Sequence, residues 1–228
     1  MEPEFWIERW QRNEIGFHQD RINPYLEQFW GDLIAGSHSQ VFVPLCGKSQ
    51  DMVWLRKRGH SVVGVELSLI AVENFFVEQQ IVPARCEIDG LILFESQGYK
   101  IYCGDYFALK SQHLSQVHAA YDRASLVALP PPLRARYAQH LAQILTPGTQ
   151  ILLVALDYPA QQMQGPPFSV NDAEVRALYG DMFTVQSLLV RNALDDNPRF
   201  KERGLTRLED RVYALQRNTM LAPGVDMR

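Results

Sequence analysis

The chain has 228 residues, of which 46% are hydrophobic, 21% charged and 11% aromatic, the proportions of a soluble globular protein and a length that fits one large domain or two very small ones. Its 22 Lys and Arg against 26 Asp and Glu leave a formal net charge of −4, which argues against a nucleic-acid-binding module, normally marked by a basic excess. The opening Met-Glu-Pro-Glu-Phe-Trp has no basic stretch followed by an apolar one, so no signal peptide is expected, and the longest greasy run, Ile151 to Leu156, falls far short of the roughly 20 apolar residues of a membrane helix.

Phe5, Trp6, Arg9 and Trp10 fall at helical spacing within Glu4 to Glu14, with Pro3 suited to a first turn. Asn23-Pro24 reads as an N-cap followed by proline at the first helical position. Tyr25, Leu26, Phe29, Trp30, Leu33 and Ile34 give that helix its apolar stripe. From residue 40 the rhythm changes. Val41-Phe42-Val43 predicts a short buried strand and Pro44 to Ser49 a turn, with Ser49 capping a helix over Asp51 to Arg58 that Gly59 stops. Ser61 to Glu66 predicts a strand, Leu69 to Gln80 a helix, and Leu91 to Glu95 with Lys100 to Cys103 two strands joined around Gln97-Gly98. Val117 to Asp122 follows, then a proline-rich break at Pro130-Pro131-Pro132 and a helix over Leu133 to Leu145. Thr149 to Asp157, the most apolar strand, is expected to be central. Asn171 caps a helix through Leu178. Phe183 to Arg191 and Glu209 to Gln216 are the last strands, expected to form an antiparallel edge, and Asn192 to Arg207 between them reads as too polar for a core element. Short apolar strands alternating with amphipathic helices specify an α/β sheet with helices on both faces, whose ligands gather at the carboxyl ends of the strands.

The turn Leu45 to Ser49 lies between the first strand and its helix, where backbone N–H groups face a ligand. Glu66 ends the second strand about 20 residues beyond Gly47, where an acid commonly accepts from both hydroxyls of an adenosine ribose. A solvated strand-end charge would leave the same trace. The loop has one glycine rather than GxGxxG, so nothing is built for close approach of a pyrophosphate. Gly47-Lys48-Ser49 ends like a P-loop, but the position that needs the first glycine holds Phe42. A cofactor with ribose and adenine but no phosphate fits, and S-adenosylmethionine is the obvious one.

Trp6-x3-Trp10, Gly16-Phe17-His18, Val43-Pro44-Leu45-Cys46-Gly47-Lys48-Ser49-x-Asp51-Met52, Gly64-Val65-Glu66, Tyr121-Asp122-Arg123-Ala124, Pro166-Pro167-Phe168 and Phe200-x-Glu202-Arg203 together resemble bacterial thiopurine S-methyltransferases over nearly the whole chain. The resemblance implies a single class I methyltransferase domain over residues 1–228. It would have a seven-stranded, mostly parallel sheet in residues 39–228 and an N-terminal helical cover in residues 1–38. It further implies that Trp10, Leu45, Glu66 and Arg123 contact S-adenosylmethionine and that Asp105 and Tyr106 sit near its adenine. Phe17 and Arg203 would face a thiol acceptor, giving S-methylation of aromatic and heterocyclic thiols such as thiopurines. Selenium and tellurium species, and a detoxifying role toward chalcogen oxyanion metabolites, extend the same expectation.

In-line transfer of a methyl group from sulfonium to sulfur asks for positioning and exclusion of water. Arg123 and Arg203 are the candidate cations that favour a thiolate. Phe17 is a ring on which a flat acceptor can stack, and Trp6 and Trp10 offer π faces to the sulfonium. Each has a plainer role available: a Trp pair is often core packing, Arg123 could pair with Asp122 or Glu66, and Arg203 lies in the charged run Arg199, Lys201, Glu202, Arg203. Cys46, without an evident activating base, reads as a small apolar wall residue. His18, His38, His60, His113, His118 and His140 show no ligand spacing, so no metal is assigned. Three cysteines without a CxxC pair suit a cytoplasmic protein with free thiols. A monomer acting on a small molecule, without nucleic-acid or membrane partners, is expected. A nicotinamide dehydrogenase and a non-catalytic sensor of S-adenosylmethionine or S-adenosylhomocysteine are the alternatives.

Overall fold

The computed structural model describes residues 3–34 and 39–219. The predicted cover boundary at residue 38, and His38 with it, lie outside them. The described chain forms one sheet of nine strands: β1 (Gln40–Val43), β2 (Ser61–Glu66), β3 (Ala84–Ile88), β4 (Leu91–Ser96), β5 (Tyr99–Cys103), β6 (Val117–Arg123), β7 (Gln150–Asp157), β8 (Phe183–Asn192) and β9 (Glu209–Arg217). Their order is β3-β4-β5-β2-β1-β6-β7-β9-β8. Strands β5, β2, β1, β6 and β7 pair in parallel, β9 is antiparallel to β7 and β8, and β4 is antiparallel to β5 and β3. The count exceeds the expected seven because a hairpin, β3–β4, extends the sheet past β5. The predicted antiparallel edge is present at β8–β9. Strand β7 is interior, but β1 holds the middle of the sheet.

Among the described residues seven α-helices accompany these strands: α1 (Pro3–Gln11), α2 (Pro24–Leu33), α3 (Gln50–Lys57), α4 (Leu69–Glu78), α5 (Pro131–Ile144), α6 (Asp172–Tyr179) and α7 (Pro198–Glu202). The side-chain alternation of β1 sorts them. Val41 and Val43 face a core with Tyr25, Leu26 and Trp30 of α2, Met52 and Leu55 of α3, and Val72 and Phe75 of α4. Phe42 faces the opposite core, with Tyr137, Ala138 and Leu141 of α5 and Val175 and Tyr179 of α6. Both faces are buried, as a parallel sheet requires.

The caps act as the sequence indicates. Asn23, Ser49 and Asn171 accept from the backbone N–H groups of Tyr25, Asp51 and Glu174 at 3.0, 3.2 and 2.9 Å. Two expectations need correction. The proline run is no break: Pro131 and Pro132 form the first turn of α5, where a missing N–H costs nothing. Residues 192–207 are not merely polar, because α7 lies among them and Ala193, Phe200 and Leu205 pack with Tyr158, Met163 and Leu208 into a third, small core.

Candidate active site

Strand β1 is flanked by β2, the next strand in the chain, on one side and by β6 on the other. Helices leave the sheet toward opposite faces here, opening a crevice at the carboxyl ends of the strands. Two turns line it, 44–49 after β1 and 124–125 after β6. The Ser125 hydroxyl donates to the Pro44 carbonyl at 2.9 Å and ties them together. Leu45 and Ala124, one on each turn, adopt left-handed backbone at φ +45° and +67°, a cost of about 1 kcal/mol or more each for a residue with a Cβ. Strain held at two facing turns is a mark of a functional position.

Glu66 ends β2 beside the first turn and is 7% exposed. Its two carboxylate oxygens accept from the backbone N–H groups of Gly47 and Ser68, both at 2.8 Å. Burial pushes its pKa up, while backbone N–H groups of Ser68, Gly47 and Leu67 pull it back. A carboxylate has about four acceptor sites, so capacity remains for further donors. The Gly104 N–H donates to the Glu66 carbonyl at 2.9 Å, which sets Asp105 against the same strand end. Asp105 is exposed and caps a short 3-10 turn, accepting from the Phe107 N–H at 2.9 Å. The Tyr106 ring points into the core, stacked on Tyr137 with centroids 4.8 Å apart.

Helix α1 roofs the first turn. Trp10 is 6% exposed, and a Cβ on Gly47, at φ +53°, would stand 3.3 Å from its ring. Phe17 meets Trp6 and Trp10 edge-on at 5.4 and 5.7 Å. Trp6, Trp10, Phe17, Gly47 and Glu66 therefore form one contiguous constellation. Cys46 lies beneath it, its sulfur 2.8 Å from where a Cβ on Gly64 would be. Burial drives the Cys46 thiol well above its ordinary pKa, as befits a wall rather than a nucleophile.

Arg123 ends β6, half-buried, and its charge acts on His18 and Asp210. Behind it, Asp122 accepts from the Tyr137 hydroxyl at 2.7 Å, and burial raises its pKa to about 6. Arg203 is exposed at the end of α7, with its charge felt at the Tyr158 hydroxyl. The link from α7 to the cover is Arg199, which donates to the Gly16 carbonyl at 2.6 Å. Two supports escape a sequence reading. Asp51 accepts from the Asn23 N–H at 2.8 Å and the Tyr121 hydroxyl at 3.0 Å, fixing α2 and β6 to α3. Lys48 pairs with Glu78 at 2.6 Å. Both residues belong to the Pro44 to Met52 stretch, but their partners Asn23, Tyr121 and Glu78 are brought to them only by the fold.

The fold matches those of S-adenosylmethionine-dependent methyltransferases. One from Anabaena variabilis superposes with a TM-score of 0.64 at 12% identity, over 95% of this chain and 95% of the other. A 1,6-didemethyltoxoflavin-N1-methyltransferase from Burkholderia thailandensis, solved with bound 1,6-didemethyltoxoflavin and S-adenosylhomocysteine, gives 0.63 at 13% identity, over 95% of this chain and 87% of the other. In sequence, a thiopurine S-methyltransferase from Nitrosospira multiformis is 49% identical over 219 residues, 96% of this chain and 100% of that one. Another from Pseudomonas fluorescens is 49% identical over 216 residues, 95% and 99% of the two chains.

A model of the thiopurine S-methyltransferase family matches residues 1–218. The chain belongs to that family, and its cofactor is S-adenosylmethionine. The donor set fits such a group: a buried acid for a diol, an aromatic roof for a sulfonium, and a first-turn lysine already engaged by Glu78 instead of facing a phosphate.

Proposed function

We propose that this protein methylates the sulfur of aromatic and heterocyclic thiols, thiopurines among them, with selenium and tellurium analogues as further acceptors. The observation that carries this is the buried Glu66 carboxylate bound to the Gly47 N–H beneath Trp10. When bound, S-adenosylmethionine supplies an electrophilic methyl group on a sulfonium. Glu66 holds the ribose hydroxyls, Leu45 and Gly47 form the floor, Trp10 and Trp6 cover the sulfonium, and Asp105 lines the adenine end. Tyr106 shapes that end from the core side, where its buried ring keeps the Asp105 turn in position. Residues 1–38 act as the cover and residues 39–228 as the core. Phe17 stacks on the acceptor ring, and Arg123 and Arg203 favour its thiolate.

The chain's own contribution is orientation and dryness, the main requirement of an in-line displacement. Three free thiols, Cys46, Cys86 and Cys103, suit a reducing cytoplasm, and the exposed large apolar side chains among the described residues are few, Leu69, Val77, Val82, Ile88 and Val190, which suits a monomer. The test is incubation with methyl-labelled S-adenosylmethionine and a panel of heterocyclic thiols, with products identified by mass spectrometry. S-methylated product is expected, and Arg203→Ala should raise KM for anionic acceptors more than it lowers kcat. Label on ring nitrogen, or on no acceptor, would contradict the assignment.

A further inference from the structure

His18 is a titratable side chain of the cover that the roles above leave unused. Its side chain is 11% exposed, and it lines a cleft of about 420 Å³ between the cover and the α7 region, together with Asp20, Arg21, Asn197 and Arg199. Its Nε2 is 3.3 Å from Asp20 Oδ1, and the Asp20 carboxylate is 99% exposed. On the other side Phe17, next in the chain, packs on Trp6 and Trp10. His18 thus follows the aromatic roof directly in the chain and pairs with a solvent-exposed carboxylate.

We propose that His18 is the general base for acceptors that enter the cleft as protonated thiols. This rests on the methyl-transfer assignment above. The S–H bond breaks, its electron pair stays on sulfur, and the proton joins an imidazole nitrogen. The thiolate then forms the new S–C bond as the bond from the methyl group to the sulfonium sulfur breaks, that pair returning to the sulfonium. The imidazolium gives its proton through Nε2 to Asp20 and on to water, so each turnover releases one proton.

The charges around the ring suit this task. Burial, then Lys48 of the first turn, then Arg123 of β6 push the His18 pKa below 6.5, against opposite pulls from Asp20 and from Glu78 of α4. The imidazole is therefore neutral at neutral pH, the form that accepts a proton. Arg21 and Arg199 line the same cleft and favour the thiolate that results.

The experiment compares kcat/KM of the wild type and His18→Gln on two aryl thiols of similar size. One has a pKa about two units below the assay pH and the other about two units above. The loss on the weakly acidic thiol should exceed the loss on the acidic one at least tenfold. The wild-type profile for the weak acid should fall at a pKa under 6.5, matching the His18 value from an NMR titration of the ligand-free protein. Equal losses on both thiols, or an NMR pKa above about 7, would overturn the proposal, and the NMR arm does so even if the variant does not fold. No wild-type turnover of either thiol would remove the methyl-transfer assignment, and this proposal with it.

Discussion

At the scale of single residues, the site is defined by what Glu66, Gly47 and Asp122 cannot exchange. Gly47 has φ +53° and a Trp10 ring 3.3 Å from where its Cβ would be. Gly47→Ala should cost about 1 kcal/mol in backbone strain and push Trp10 off the turn. We expect affinity for S-adenosylhomocysteine to fall several-fold with a small drop in Tm, checked by calorimetry and thermal unfolding; unchanged affinity would count against the roof. Asp122 supplies a pH test. Burial raises its pKa from 3.8 to about 6. A raised acid contributes stability that is complete below its unfolded value and lost as pH rises through its folded value. Wild-type stability should thus decline through this group between pH 3.8 and about 6, and Asp122→Asn should flatten that decline by about 3 kcal/mol. Urea unfolding at about pH 4 and about pH 7 measures it, and identical slopes for both proteins would refute it.

Among the elements, those with an apolar rhythm or a cap are legible in the sequence. Helix α2 is announced by Asn23-Pro24, β2 by Ser61 to Glu66, and α3 by Ser49 and Gly59. Strand β3 is not, because all five of its residues are exposed and an edge strand with no buried face has no alternation to read. The signal available was Asp89-Gly90, both at positive φ, a strong two-residue hairpin signature. Helix α7 hides for a related reason, since five residues carry only one buried side chain, Phe200. How α2 docks was also invisible, because it depends on Asp51, a carboxylate shared by a backbone N–H and the Tyr121 hydroxyl across 28 and 70 residues. Asp51→Ala would leave both buried donors without it, at a cost of about 3 kcal/mol. Denaturant unfolding should register this, with amide exchange rising first at residues 23–30, and a loss below about 0.5 kcal/mol would show that the carboxylate is dispensable.

For the whole molecule, strand order places the site. The crevice between β1 and β6 brings together a turn at 44–49, an acid at 66 and a cation at 123, none of which is near another by sequence alone. The first two were legible because a loop with one glycine and an acid at the end of the next strand carry chemical meaning by position. The sequence marked Arg123 only through the Tyr121 to Ala124 resemblance, and the support of Asp122 by Tyr137 on α5 needed the fold. The direct test of this arrangement is calorimetric titration of wild type and Glu66→Ala with S-adenosylhomocysteine, with NADH as control. Micromolar binding to the wild type, weakened at least tenfold in the variant, and no binding of NADH are the expected results. Equal affinity in both proteins, or binding of NADH in place of S-adenosylhomocysteine, would contradict the role of Glu66 and of the turn it holds.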